Sequence, residues 1–274
     1  MTTLVQARSE RQIAAGLLLS LLARNLKTRY RGSAIGVFWT LLNPAVQLVI
    51  YSVVFSLIVR GIDLKPYPVF LLAGLLPWTA FSQGLSTASV SIIANAPLVK
   101  KVYFRLELLP VAEILTATVN LLISLGLVIV GLLVYRHGLD IQLVMLPVLV
   151  LLQLVFTVAV GVILAAVTCY FRDVEYLLNL FLMVFFYATP IIYPISIVKP
   201  HLDAAGKMVG HPALYAILAA NPMSWLMGGY QDVIFWQRWP DPLQLLGFTV
   251  LTVVLCAGAV LVFRRLRPHL TEEL

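Results

Sequence analysis

The stretch "GHPALYAILAANPMSWLMGG", residues 210–229, decides how many times this chain can cross a membrane. It is about as long as the roughly 20 apolar residues that a transmembrane helix needs. Its content argues against a lipid-facing helix, because His211, the Asn221-Pro222 pair and the paired glycines at its end are poorly tolerated there. We therefore predict that these residues form short helices on the outer face of the protein, broken at Asn221-Pro222.

Apolar residues also dominate the rest of the chain. Of the 274 residues, 61% are hydrophobic and 11% are charged, and the mean hydropathy is +0.97. In soluble domains charged residues make up about a quarter of the total. We predict an all-α integral membrane protein with six transmembrane helices. The uncharged stretches that qualify as spans are 33–59, 66–99, 114–135, 141–171, 176–198 and 242–263.

The distribution of Lys and Arg supports six spans over seven. With six spans and a cytoplasmic N-terminus, thirteen basic residues lie inside and six outside, whereas a seventh span at 208–231 would give eleven inside and eight outside. Because cytoplasmic loops carry the excess of cations, six spans fit better, and both termini, including the tail 264–274, are expected in the cytoplasm. The net charge of +7 then indicates contact with lipid headgroups, and nucleic-acid binding is disfavoured.

Residues 1–32 are predicted to form an amphipathic helix in the headgroup plane. Arg24, Lys27 and Arg31 fall on one helical face, and Leu19 and Leu22 fall on another. The alternative is a simple topology anchor without a further role. The cations that we expect to contact lipid headgroups are Arg24, Lys27, Arg29 and Arg31.

Several chemistries have no support in the sequence. The six stretches contain no Asp, Glu, Lys, Arg or His, although ion-coupled transporters use such residues inside their spans. There is no phosphate-binding G-x-x-x-x-G-K-[ST] motif, so a pump would need a partner that supplies the energy. The four histidines lack metal-ligand spacing, and Cys169 and Cys256 indicate neither a metal site nor a disulfide. We expect no enzyme activity and no cofactor in this chain.

Aromatic residues lie within the spans, several of them far from the ends. The apolar faces of sugar rings stack on aromatic side chains, so these residues are candidates for a glycan path. Core or lipid-facing packing is the alternative for each of them. The six candidates for a transport path are Trp39, Tyr51, Trp78, Phe185, Phe186 and Tyr187.

The segment "NAPLVKKVYFRLELLP", residues 95–110, mixes apolar, aromatic and charged residues on the cytoplasmic side. Such a short amphipathic element suits docking into a groove of a soluble partner, and a lipid-facing interfacial turn is the alternative. Arg172, Asp173 and Glu175 form a second polar link, between the fourth and fifth spans, for which a turn with a local ion pair is the simpler interpretation.

Three stretches resemble one known family. "RYRGSAIGVFWTLLNPAVQLVIYSVVFS", "VKKVYFRLELLP" and "YFRDVEYLLNLFLMVFFYATPIIYP" are similar to the permease subunits of type-2 ABC exporters of lipid-linked polysaccharide, notably the O-antigen exporters. The resemblance covers nearly the whole chain. Relatives often carry proline after "VYF", where this chain has Arg105, which leaves the shape of that segment open.

The resemblance implies a homodimer above two copies of a cytoplasmic ATPase subunit, which would bind ATP and Mg²⁺. It implies a coupling segment at 98–108, outer gate helices at 195–236, and a central channel between the first and fifth spans of a transmembrane domain at 33–263. The basic residues before the first span would meet the pyrophosphate of the lipid-linked glycan. The residues expected to contact the ATPase are Lys100, Lys101, Tyr103, Phe104, Arg105, Glu107, Arg172 and Asp173.

We therefore expect the permease of an exporter of undecaprenyl-linked polysaccharide, most closely O-antigen, in a bacterial inner membrane. Export of wall teichoic acid or capsular polysaccharide is the nearest alternative. An ion-coupled carrier or a channel acting alone is the main alternative of another class, and a membrane enzyme ranks third.

Overall fold

The computed structural model describes residues 2–30, 67–100, 104–136, 140–202 and 208–266, with isolated positions between 36 and 53. The first expected span, 33–59, lies almost wholly outside this part of the chain. So do five of the expected site residues, and for Arg29 only the backbone is described. Those five residues are Arg31, Trp39, Tyr51, Lys101 and Tyr103.

Nearly all of the described chain is helical, as the sequence predicts. The helices are α1 (Thr2–Tyr30), α2 (Tyr67–Ala94), α3 (Ala96–Val99), α4 (Leu108–Arg136), α5 (Leu146–Tyr170), α6 (Val174–Tyr187), α7 (Pro212–Ala220), α8 (Pro222–Gln231) and α9 (Pro242–Leu266). Short 3-10 turns at Ile141–Met145 and Ile195–Ile197 and a π-helical turn at Asp232–Trp236 complete them. A two-residue antiparallel ladder joins β1 (His201–Leu202) to β2 (Met208–Val209).

Four helices in the described part are long and apolar enough to cross a membrane. They are Tyr67–Ala94, Leu108–Val130, Ile141–Tyr170 and Pro242–Leu266, and each coincides with an expected span. The fifth expected span, 176–198, is helical only over Val174–Tyr187. The sequence remains apolar after Tyr187, but Pro190 and Pro194 cannot extend a helix, so the α-helix ends and the chain bends there.

Helix α2 lies at the centre of the bundle and packs against α4, α5, α6 and α8. Small residues permit this close packing. A Cβ added to Gly161 of α5 would lie 2.6 Å from Cδ1 of Ile114 on α4, so the glycine lets the two helices approach. The buried amide of Gln153 donates a 2.8 Å hydrogen bond to the carbonyl of Pro77, which joins α5 to α2.

The first helix packs along α4 at the end of the bundle where α4 begins. Leu21 is buried there among residues of α2, α4 and α5, whereas Ile13 and Leu19 are exposed. The helix therefore presents apolar side chains both to the protein and away from it. Apolar side chains that point away from the protein are expected of a helix that lies at a membrane surface.

Candidate functional site

The described aromatic candidates form one continuous cluster between α2 and α6. The ring of Trp78 lies 5.8 Å from Phe185 and 5.7 Å from Phe186, and Phe186 lies 5.2 Å from Tyr187. Four of the six residues proposed for a path thus come together, although Trp78 lies far from the other three in the sequence. The same two helices are also joined by a 2.9 Å hydrogen bond from Ser86 to Asn179. Aromatic ring contacts of this kind contribute about 1 kcal/mol per pair beyond simple burial.

The cluster is not uniformly accessible. Trp78 is only 5% exposed, whereas Tyr187 is 55% exposed. The ring of Trp78 is therefore covered by its neighbours, and a role of the cluster in a transport path stays a prediction. The surface of the cluster is therefore formed by α6.

Phe181 also belongs to this surface, although the sequence did not lead us to predict it as a path residue. Its ring stacks on Phe185 at 4.9 Å with 28° between the planes, and its side chain is 55% exposed. The four-residue spacing from Phe181 to Phe185 on one helix is the signal that could have identified it.

The segment 195–236, which the resemblance places on the outer face, contains the helix break that the sequence predicts. Helix α7 ends at Ala220, and α8 starts at Pro222 with Asn221 between them. The Asn221 side chain accepts a 2.9 Å hydrogen bond from the backbone N–H of Met223, which caps α8. The apolar side of α8 is buried against α2, α5 and α9.

Two side-chain amides join this segment to the turn that follows α6. Nδ2 of Asn221 donates to the carbonyl of Ala188 at 2.9 Å, and Nε2 of Gln231 donates to the carbonyl of Pro190 at 2.9 Å. The two donors stand at opposite ends of α8. We call these two contacts the amide latch, because together they hold the end of α6 against α8 through otherwise free carbonyls.

Gly74 of α2 gives the amide latch its space. An added Cβ would lie 3.1 Å from Nε2 of Gln231 and 3.3 Å from the carbonyl oxygen of Ile191. On the same side, the hydroxyl of Tyr67 donates a 2.9 Å hydrogen bond to the carbonyl of Ile192. Helices α2 and α8 therefore each hold the turn after α6 through a side-chain hydrogen bond.

The outer end of α8 carries an ion pair. Asp232 and Arg238 approach to 2.7 Å, and the guanidinium of Arg238 lies 5.7 Å from the centre of the Trp236 ring. Burial raises the pKa of the Asp232 carboxyl, and the hydrogen bond from Arg238 lowers it in part, so the net pKa is above its ordinary value.

The segment 98–108, which is expected on the cytoplasmic side, is divided between a buried and an exposed side. Val99 and Leu106 are buried in the cluster beneath α1, and Phe104 packs against that cluster. Lys100 and Arg105 are exposed. The helix α3 ends at Val99 and residues 104–107 are non-helical, so the described part is a turn with helical ends.

The remaining expected ATPase contacts lie at two places. Arg172 and Asp173 are exposed in the turn before α6. Glu107 is partly buried, and its Oε2 atom accepts no hydrogen bond in the described part of the chain. The exposure of Arg172 and Asp173 suits contact with a soluble partner. Contact with the ATPase stays a prediction for these two residues and for Glu107.

A polar cluster connects α1 to the bundle. Arg24 donates a 2.9 Å hydrogen bond to Oδ1 of Asn95, and Nδ2 of Asn25 donates to Glu113 at 2.7 Å. Arg24 thus contacts the end of α2, while Lys27 is exposed on the same helix. A headgroup role for these cations stays a prediction. Among the described residues, no three His, Cys, Asp or Glu side chains gather in a way that could hold a metal ion.

Comparison with known proteins gives a consistent result. Residues 16–235 match the family described as ABC-2 type transporter. The chain is 35% identical to the O-antigen export system permease protein RfbA of Myxococcus xanthus over 259 residues, which cover 94% of this chain and 95% of that protein. It is 29% identical over 260 residues to a protein of the same description from Klebsiella pneumoniae, with 94% and 95% covered. The polysialic acid transport protein KpsM of Escherichia coli matches at 34% identity over 88 residues, 32% of this chain and 34% of that protein.

Proposed function

Because this chain belongs to the ABC-2 type transporter family, we propose that it is the permease subunit of an ABC exporter of O-antigen. The observation that carries the proposal is the similarity to O-antigen export permeases over nearly the full length of both chains. The long apolar helices of the described chain fit a multi-pass membrane subunit of this kind. We place it in a bacterial inner membrane with both termini in the cytoplasm.

The energy for export would come from a separate ABC ATPase subunit. The sequence carries no phosphate-binding loop of its own, so ATP and Mg²⁺ would be bound by that partner. We propose a homodimer of this chain with two ATPase subunits on the cytoplasmic side. Lys100, Arg105, Arg172 and Asp173 are exposed and are our candidates for that contact.

The substrate would be an undecaprenyl-linked polysaccharide that moves from the cytoplasm outward. Phe181 and Tyr187 are the exposed rings of the aromatic cluster and our candidates for contact with such a glycan, and Trp78 packs against the same cluster. Because a ring stack is weak, a chain of sugars can bind each ring and leave it again. An uncharged path of this type requires no buried ion pairs with the polymer.

Capsular polysaccharide is a second candidate substrate. It is favoured by the match to the polysialic acid transport protein, but that match covers only 32% of this chain. The O-antigen permeases match about three times as much of it. We therefore favour O-antigen.

Reconstitution tests the proposal directly. The chain is placed in vesicles with its ATPase subunit and a fluorescent lipid-linked glycan, and glycan transfer across the bilayer is measured with and without ATP. We expect transfer only with ATP and both polypeptides, and none with an ATPase subunit unable to hydrolyse ATP. Transport by the chain alone under an ion gradient would show that it is a secondary carrier instead.

A further inference from the structure

A cavity of about 580 Å³ opens between α4, α5 and α9, at the end of the bundle where α4 begins and α9 ends. This volume lies within the range of ligand-binding pockets. Its walls are apolar apart from two charged residues, Glu107 in the turn before α4 and Arg264 in the last turn of α9. The cavity therefore combines an apolar interior with one acidic and one basic side chain.

The wall residues follow helical stripes that place both charges at one end. Val111 and Leu115 of α4 continue the four-residue spacing that begins at Glu107 just before that helix, and Cys256, Val260 and Arg264 recur every four residues along α9. Eight residues of helix extend about 12 Å. The cavity is therefore a groove that runs along the helix axes, with its charged mouth at the level of the cytoplasmic headgroups and its apolar length in the bilayer.

The two charges lack partners within the described chain. Neither Glu107 nor Arg264 forms a hydrogen bond or an ion pair through its side chain with any described residue, and they do not pair with each other. Oε2 of Glu107 is also shielded from solvent. A buried acceptor without a donor is uncommon and indicates a missing partner.

We propose that this groove binds a phospholipid that carries a primary ammonium group, that is, phosphatidylethanolamine. The ammonium would donate hydrogen bonds to Glu107, and the phosphate would accept them from Arg264. One acyl chain would lie along Val111 and Val260. The lipid would then join α4 to α9, which form two of the walls of this groove.

The charge pattern distinguishes between headgroups. A choline headgroup carries a cation without N–H donors, so it cannot satisfy the carboxylate. A glycerol headgroup carries no cation, and its net negative charge would face Glu107 unfavourably. The ethanolamine headgroup alone among these three offers both a donor cation and an acceptor anion.

Cys256 provides a native reporter inside the groove. The permease and its ATPase subunit are purified together and placed in nanodiscs of phosphatidylglycerol alone, or with half of it replaced by phosphatidylethanolamine or by phosphatidylcholine. A membrane-permeant maleimide is added, and alkylation is followed by intact mass. Cys169, which is buried, serves as the internal reference for global opening.

We expect phosphatidylethanolamine to slow the alkylation of Cys256 about tenfold relative to phosphatidylcholine, the effect of one charge-assisted hydrogen bond. Glu107→Gln should abolish the difference. Arg265→Gln is the matched control, because Arg265 neighbours Arg264 but does not line the groove. It should retain the difference. Native mass spectrometry of the same samples should show one retained phosphatidylethanolamine per permease, lost in Glu107→Gln.

Equal alkylation rates with the three lipids would overturn the proposal. Protection that persists without phosphatidylethanolamine but ends when the ATPase subunit is removed would assign the groove to that subunit. Protection that depends on permease dimerisation would assign it to a second copy of this chain. If Glu107→Gln does not assemble, Arg264→Gln tests the phosphate contact in the same assay. The result does not depend on which polysaccharide is exported, so the two proposals fail separately.

Discussion

Helices α6 and α8 are both apolar and both too short to cross a membrane, yet their surroundings are opposite. The 14 residues of α6 extend about 21 Å and the 10 residues of α8 about 15 Å, against a hydrocarbon core of about 30 Å. In α8 the apolar side chains Met223, Leu226 and Met227 are fully buried. In α6 the residues Leu180 and Val184 are 61% exposed.

The difference shows which helix is structural and which presents a surface. Helix α8 packs against four other α-helices and is hydrogen-bonded at both ends through the amide latch. The exposed face of α6 has no such cover from the described residues. A large apolar surface of this kind in a membrane protein suits lipid, a second copy of the chain, or a transported substrate. The predictions below test this division of roles.

The largest effect is expected where α8 is fixed. Gly74→Val should push Gln231 from its position and leave the carbonyl of Pro190 unpaired, because even a Cβ at this glycine lies 3.1 Å from Nε2 of Gln231. We expect a loss of about 3 kcal/mol, from overpacking together with an unsatisfied carbonyl. Thermal unfolding in detergent measures it.

A matched glycine provides the control for that variant. An added Cβ at Gly126 of α4 meets nothing within 4 Å, so Gly126→Val should change stability by less than about 1 kcal/mol. Similar melting temperatures for the two variants would mean that the turn after α6 does not depend on the space beside Gly74.

The next effect concerns the exposed face of α6. Replacing Phe181 and Tyr187 together with alanine should slow glycan export severalfold while stability falls by only about 2 kcal/mol, because both rings are largely exposed and each loses one ring contact worth about 1 kcal/mol. Export is measured in the reconstituted vesicles and stability by thermal unfolding of the same preparations.

An equally exposed residue on another helix controls for general surface effects. Leu243→Ala on α9 removes a side chain that is 75% exposed and should leave export unchanged. If the double variant exports at the normal rate, or if its loss of export merely follows a loss of stability, these rings are not part of the path.

A smaller effect is expected at the cytoplasmic start of α6. Arg172 is exposed in the turn before the helix, so Arg172→Glu should weaken contact with the ATPase subunit without unfolding the permease. We expect reduced co-purification of the two subunits and a steeper dependence on salt. Arg238→Glu, on the opposite end of the molecule, should leave co-purification unchanged; an equal decrease in both variants would argue against a specific contact at Arg172.

The contrast between α6 and α8 also shows what the sequence could predict. The break before α8 was predictable because Asn221-Pro222 is a local signal: proline cannot continue a helix, and asparagine caps the next one. The end of α6 was predicted eleven residues too late, at 198 instead of Tyr187. The apolar residues Ile191 and Ile192 continue the hydropathy signal beyond the helix, although the chain has already turned there.

Contacts between distant positions were not predictable from a single sequence. Gln231 gives no local sign that it bonds to the turn after α6, and Glu107 and Arg264 share a groove although they are far apart in the chain. The aromatic residues were predicted as a group, but the burial of each ring was not. The sequence does not show that Trp78 is buried while Tyr187 is exposed. Burial depends on which helices pack together, and this is a property of the whole fold.

The smallest effect is expected at the outer end of α8, where Asp232 pairs with Arg238. Burial raises the pKa of Asp232 more than Arg238 lowers it, so the folded protein holds the proton more tightly than the unfolded chain. The stabilising contribution of the protonated carboxyl is complete below the unfolded pKa of about 3.9 and is lost as the pH rises through the folded value. Asp232→Asn, which imitates the protonated form, should therefore be as stable as the native chain or slightly more stable at pH 7. The difference should vanish on acidification, since both side chains are then neutral. Thermal unfolding at pH 7 and at about pH 3, below the unfolded pKa, measures this. A variant that is less stable than the native chain at pH 7, with the deficit removed by acid, would show that the ion pair outweighs the cost of burial.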